Sequence, residues 1–67
     1  MPLYDFLEVL YEETKIEIQI DYDPVYIGTV EDVPAHRFMN SFVAEAYIGL
    51  NGNTLVISIY NQRNNKK

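Results

Sequence analysis

The hydrophobic positions change period along the chain. Leu3, Phe6, Leu7 and Leu10 fall at i, i+3, i+4 and i+7, with Asp5, Glu8 and Glu12 on the opposite side, the spacing of one buried helical face. Pro2 suits a first helical turn, where its missing N–H has no partner to lose, and Asp5 complements the positive end of the helix dipole. The pattern predicts a helix over about residues 2–12. From Ile16 the period drops to two. Ile16, Ile18, Ile20 and Tyr22 alternate with Glu17, Gln19 and Asp21, which predicts a strand with one buried and one wet face. Asp23-Pro24 is expected to turn the chain, because proline presets φ, and residues 25–30 to return as a second strand. Gly28 within that strand predicts a bulge or close packing beneath an aromatic ring.

Acids ahead of a proline, in Glu31-Asp32-Val33-Pro34, signal the start of a second, short helix with Ala35, Phe38, Met39 and Phe42 on one face. Asn51-Gly52 is a strong hairpin signal, since both residues tolerate the positive φ of a type I′ turn. Taken as the two loop residues, they pair Leu50 with Asn53, Ile48 with Leu55, Ala46 with Ile57 and Ala44 with Ile59 on one face. The other face then holds Tyr47 opposite Val56, Glu45 opposite Ser58 and Val43 opposite Tyr60. The expected fold is α+β in the order α-β-β-α-β-β. Two hairpins form a four-stranded antiparallel sheet with the helices on one face, and the strand order stays open. One domain covers residues 1–60; residues 61–67 form a polar, basic tail expected to be disordered.

Length and charge sharpen this picture. Sixty-seven residues allow one domain, which buries only about 60% of its unfolded surface. With no cysteine, neither a disulfide nor a thiolate metal site reinforces it. Residues 1–60 carry ten acids against Lys15 and Arg37, a net of −8, while the tail adds Arg63, Lys66 and Lys67. Such a body repels phosphate backbones, so no direct nucleic-acid binding is expected. No apolar run approaches the roughly 18 residues that span a bilayer, and no basic n-region precedes an apolar stretch. A cytoplasmic protein without membrane contact is expected.

Candidate chemistry is sparse. His36 is the single histidine and no neighbour in sequence orients it as a base. Ser41 and Ser58 lack a nucleophile-elbow context, and Gly28, Gly49 and Gly52 are isolated rather than a phosphate loop. The acids Asp21 and Asp23 at one hairpin end, and Glu31 and Asp32 at the other end of the second strand, offer oxygen ligands without the glycine-spaced loop of a calcium site. No catalytic residue, metal site or cofactor is therefore expected, and the chain is read as a non-enzyme.

The segments Leu3-Tyr4-Asp5-Phe6-Leu7, Thr14-Lys15-Ile16-Glu17-Ile18 and Tyr26-Ile27-Gly28-Thr29-Val30-Glu31-Asp32-Val33, followed by a closing hairpin, resemble small acidic proteins of phages and mobile elements of Gram-positive and gut bacteria. These are mostly domains of unknown function, and the style is similar to that of anti-CRISPR proteins. The resemblance carries over no functional residue. The net charge of −8 over residues 1–60, together with the lack of a catalytic set, points instead to a non-enzymatic inhibitor or adaptor that binds a host protein.

Two readings of function follow. In the first, the acids present a nucleic-acid-like surface to a host protein, with Glu8, Glu12, Glu17, Gln19 and Asp21 as the contacts. In the second, an oligomer sequesters a small ligand such as a nucleotide, with Tyr26, Tyr47 and Tyr60 available to stack a base. A homo-oligomer, most simply a dimer, is expected through Val43, Tyr47, Val56 and Tyr60. Its motivation is that Thr54–Tyr60 carries none of the charges or prolines that block edge pairing; a central position for that strand would meet the same requirement.

Overall fold

Two hairpins lie side by side in one four-stranded sheet. The structure, a computed structural model, describes residues 1–34 and 36–61. Helix α1 (Leu3–Leu7) precedes strands β1 (Lys15–Ile20) and β2 (Asp23–Thr29). A 3-10 turn (Val30–Asp32) leads toward β3 (Ser41–Ile48) and β4 (Leu55–Asn61). The spatial order is β2-β1-β4-β3. Each hairpin is antiparallel, but β1 and β4 meet in parallel, with Ile16 to Gln19 opposite Leu55 to Ser58. The sheet is therefore mixed, which corrects the all-antiparallel expectation. The two hairpins join through their inner strands β1 and β4, which are separated by a long connection rather than a tight turn and so are free to run parallel, as they do here.

The central place of β4 accounts for its composition. Both edges of β4 are paired, one with β1 and one with β3, and Val56, Ile57 and Ile59 are buried. Its lack of charge is thus satisfied within one chain. On one side of the sheet, Ile16, Ile18, Ile57 and Ile59 join Leu3, Leu7 and Phe38 in the core. At about 25 cal/mol per Å² of apolar surface, burial of these seven side chains is the main favourable term in so small a fold.

Helix α1 is five residues long, not eleven. Its C-terminal side tightens through bonds from Val9 N–H to Phe6 O and from Leu10 N–H to Leu7 O. Beyond it, the sheet claims the backbone. Val30 N–H donates to Thr14 O and Glu31 N–H to Glu12 O, extending the β1–β2 pairing into the residues the periodicity assigned to the helix. Leu10 still packs against the core without being helical.

The second helix is not present among the described residues. Val33 precedes Pro34 and is extended (φ −62°, ψ 127°), because the proline ring excludes the α region from the residue before it. Residues 36–40 form turns. Tyr4 secures this segment: its hydroxyl donates to Pro34 O at 2.6 Å and accepts from Phe38 N–H at 3.2 Å. Of the residues assigned to that helix face, Phe38 is in the core, Met39 is exposed and Phe42 belongs to β3; Ala35 lies outside the described residues.

Both hairpin turns differ from expectation. The first is the two-residue loop Asp21-Tyr22, each with positive φ, closed by the Ile20–Asp23 pair. Pro24 instead lies within β2, an edge strand where a missing N–H is tolerated. In the second hairpin, Gly49 N–H bonds Thr54 O, Gly52 N–H bonds Gly49 O, and only Gly52 has positive φ. Residues 50–53 form a four-residue loop concentric with the expected two-residue one, so the register of Glu45 to Ile48 against Ser58 to Leu55 is as predicted. Past Glu45 a bulge at Ala44 shifts it, pairing Val43 with Ile59 and Phe42 with Tyr60. Asn61 is the last residue of β4; residues 62–67 of the expected tail lie outside the described residues.

Candidate functional site

The face of the sheet away from the core carries one row of side chains across all four strands. In the order β2-β1-β4-β3 the row reads Ile27, Glu17, Val56, Tyr47. At the usual inter-strand spacing it spans roughly 14 Å. Strand alternation places each of these residues there, since their neighbours Ile16, Ile18 and Ile57 point into the core. Beside the row, Gln19, Ser58 and Glu45 form a second, polar row in the same register.

A shallow depression of about 540 Å³ opens over the first row. Val56 forms its floor, and Gly49, Leu50 and Asn51 of the β3–β4 loop close one end. Gly49 approaches closely: a Cβ there would sit 3.3 Å from Val56 Cγ2 and 3.3 Å from Thr54 O. That approach of the loop helps bury Val56, which is 6% exposed although it lies on the open face. The rim is apolar and accessible, with Ile27 69%, Tyr47 46% and Leu50 fully exposed. Within it, Gln19 Nε2 donates to Glu17 Oε2 at 2.7 Å, an i, i+2 contact on one strand face that orients the half-buried carboxylate.

Two sets of residues that the sequence kept apart meet here. Glu17 and Gln19, assigned to partner binding, and Tyr47 and Val56, assigned to an oligomer interface, line the same depression. The others lie elsewhere. Tyr60 is on the open face but stacked on Phe42, with ring centroids 5.9 Å apart. Val43 is turned to the core side by the Ala44 bulge, a correction to its expected place on the open face. Glu8 and Glu12 are exposed and line a second depression, of about 560 Å³, with Tyr4, Leu7, Leu10 and Val33. Asp21 occupies the β1–β2 turn. The five partner-binding candidates therefore form no single surface.

Sequence reasoning passed over Ile27 and Leu50. Ile27 alternates with Tyr26 and Gly28, so the period-two rule applied to β2 would have found it. Leu50, expected on the aliphatic face opposite Asn53, is released to solvent by the wider loop.

The three tyrosines considered for base stacking do not converge. Tyr26 packs on the core side above Gly28, where an added Cβ would meet its hydroxyl at 2.7 Å, and that hydroxyl donates to Thr29 O at 2.6 Å. Burial, and after it the charge of Asp32, raise the Tyr26 phenol above its ordinary pKa. Close packing of Gly28 under an aromatic ring is one of the two outcomes its position predicts.

Among the described residues no group of three or more histidine, cysteine, aspartate or glutamate side chains is gathered so as to hold a metal ion. Among them, too, no helix is long and apolar enough to cross a membrane. Comparison with protein-family models, with curated proteins and with solved structures finds no match to this chain.

Proposed function

We propose that this chain is a non-enzymatic protein-interaction module whose working surface is the open face of the sheet. The observation that carries the reading is the row Ile27–Glu17–Val56–Tyr47: apolar side chains stay accessible on a sheet whose other face already holds the core. Aromatic and aliphatic anchors around a desolvated centre are what a protein partner buries, with polar residues at the rim. The net charge of −8 over residues 1–60 favours a partner with a basic surface. A host protein that handles nucleic acid presents such a surface, and an acidic chain seated on it acts as an inhibitor.

Position-specific photo-crosslinking tests the reading. A benzophenone amino acid placed at Ile27 or Tyr47 should capture a partner from extracts of the native host, and the same group at Glu8 or Glu12 should not. Capture from positions 8 and 12 alone would move the interface to the helix side.

A further inference from the structure

We infer that the depression on the open face takes an arginine side chain of the partner, flanked by apolar residues, with Glu17 as its counter-charge. The inference rests on the open-face reading and adds the chemistry of the occupant. The site is a single carboxylate set in an apolar frame. Glu17 stands between Ile27 and Val56 in its row, with Tyr47 and Leu50 on the rim, and among the described residues no cation lines the depression. The Gln19 amide engages Oε2, and among the described residues no side chain donates to Oε1. The carboxylate is thus oriented and retains accepting capacity. Lys15, two residues earlier on the same strand face, is exposed and lies outside the depression.

Arginine fits this frame better than a simple point charge does. Its guanidinium binds a carboxylate through a planar fork, its three-carbon stem covers apolar surface such as Val56, and its plane stacks on a tyrosine ring. A half-buried carboxylate is also screened less by salt than a fully solvated one. A second copy of this chain is disfavoured as the occupant. Self-association would bring together two chains of net −5, each with Glu17 and Glu45 on the joining face against Lys15 among the described residues.

The test uses two blocked peptides, Ac-Gly-Leu-Arg-Leu-Gly-NH2 and the same peptide with norleucine in place of arginine, titrated into the 15N-labelled full chain. The arginine peptide should shift the amides of Glu17, Ile27, Tyr47 and Val56 and bind about fivefold or more tighter than the norleucine peptide, as expected for a partly desolvated ion pair. Glu17→Gln should abolish the difference. Lys15→Gln should enlarge it, and the double variant Glu8→Gln/Glu12→Gln should leave it in place. If Glu17→Gln fails to fold, which the amide dispersion shows directly, Ile27→Lys supplies the second variant: a cation beside Glu17 should exclude the arginine peptide.

Equal affinity for the two peptides, shifts centred on Glu8 and Glu12, or equal sensitivity to all acid substitutions would overturn the inference. So would concentration-dependent shifts of the same four amides without peptide, which would assign the face to a second copy. Cross-links from positions 27 and 47 without peptide discrimination would retain the open face and discard the arginine anchor. Absence of those cross-links would discard both.

Discussion

Asp21 and Tyr22 hold φ of 53° and 69°, a left-handed conformation that costs an ordinary L-residue about 1–2 kcal/mol. Aspartate tolerates it through its short polar side chain; tyrosine has no such compensation, and its ring is largely exposed. Tyr22→Gly should therefore stabilise the protein by about 1 kcal/mol, read as a higher urea midpoint at unchanged slope. A lower midpoint would show that the ring contributes more than its backbone costs. At Gly28 the direction reverses. The approach of Tyr26 means that Gly28→Ala must displace the ring and break the bond to Thr29, a loss of about 1–3 kcal/mol. Tyr26 also sets an alkaline limit. Its phenol binds a proton more tightly in the folded state, so its contribution is complete below pH ~10, the unfolded value. It declines as pH rises from there through the raised folded value. Tyr26→Phe should flatten that limb of the stability curve while lowering stability at neutral pH; an unchanged limb would place the alkaline transition elsewhere.

Strands were more legible than helices, and the reason lies in how local each signal is. The alternation of β1 is enforced by its own side chains, and the register of the second hairpin survives because its two candidate loops are concentric. Helix α1 stops at Leu7, and beyond it Glu12 and Thr14 accept from Glu31 and Val30 after β2, long-range bonds that no window around residue 10 contains. The turn at Asp21-Tyr22 was hidden because tyrosine at positive φ has no sequence signature, whereas the neighbouring Asp23-Pro24 has a familiar one. Bulges erased the face assignment of Val43, since one extra residue inverts the alternation that follows. The candidate site was half legible: Glu17, Gln19, Tyr47 and Val56 were each singled out, but their convergence depends on the β1–β4 seam, which only the tertiary fold supplies. The same seam predicts a contrast in stability. Ile57→Ala, in the central strand, should cost about 2–5 kcal/mol, and Ile27→Ala, on the edge strand's open face, no more than about 0.5 kcal/mol. Comparable losses in thermal denaturation would mean that Ile27 is packed rather than available.

At the scale of the whole molecule, a chain of 67 residues builds its core on one sheet face and, in the proposed reading, keeps the other for recognition. One face gathers the isoleucines, α1 and Phe38; the other leaves an apolar rim around Glu17 within an acidic body. Long-range attraction and short-range docking then separate experimentally. Raising ionic strength should slow association with a basic partner several-fold and change dissociation much less, because screening acts before contact and buried pairs are shielded. Stopped-flow binding at two salt concentrations reads this, and a dominant effect on dissociation would place the contacts at a solvated rim. The most direct test of the open face as the interface is the affinity of a cross-linked partner, once purified, for the wild-type chain and for Tyr47→Lys. Tyr47 is about half exposed, so the substitution leaves the core untouched. A folded Tyr47→Lys chain with at least about tenfold weaker binding is the predicted result; unchanged affinity in that chain, with loss instead in Glu8→Gln/Glu12→Gln, would contradict it.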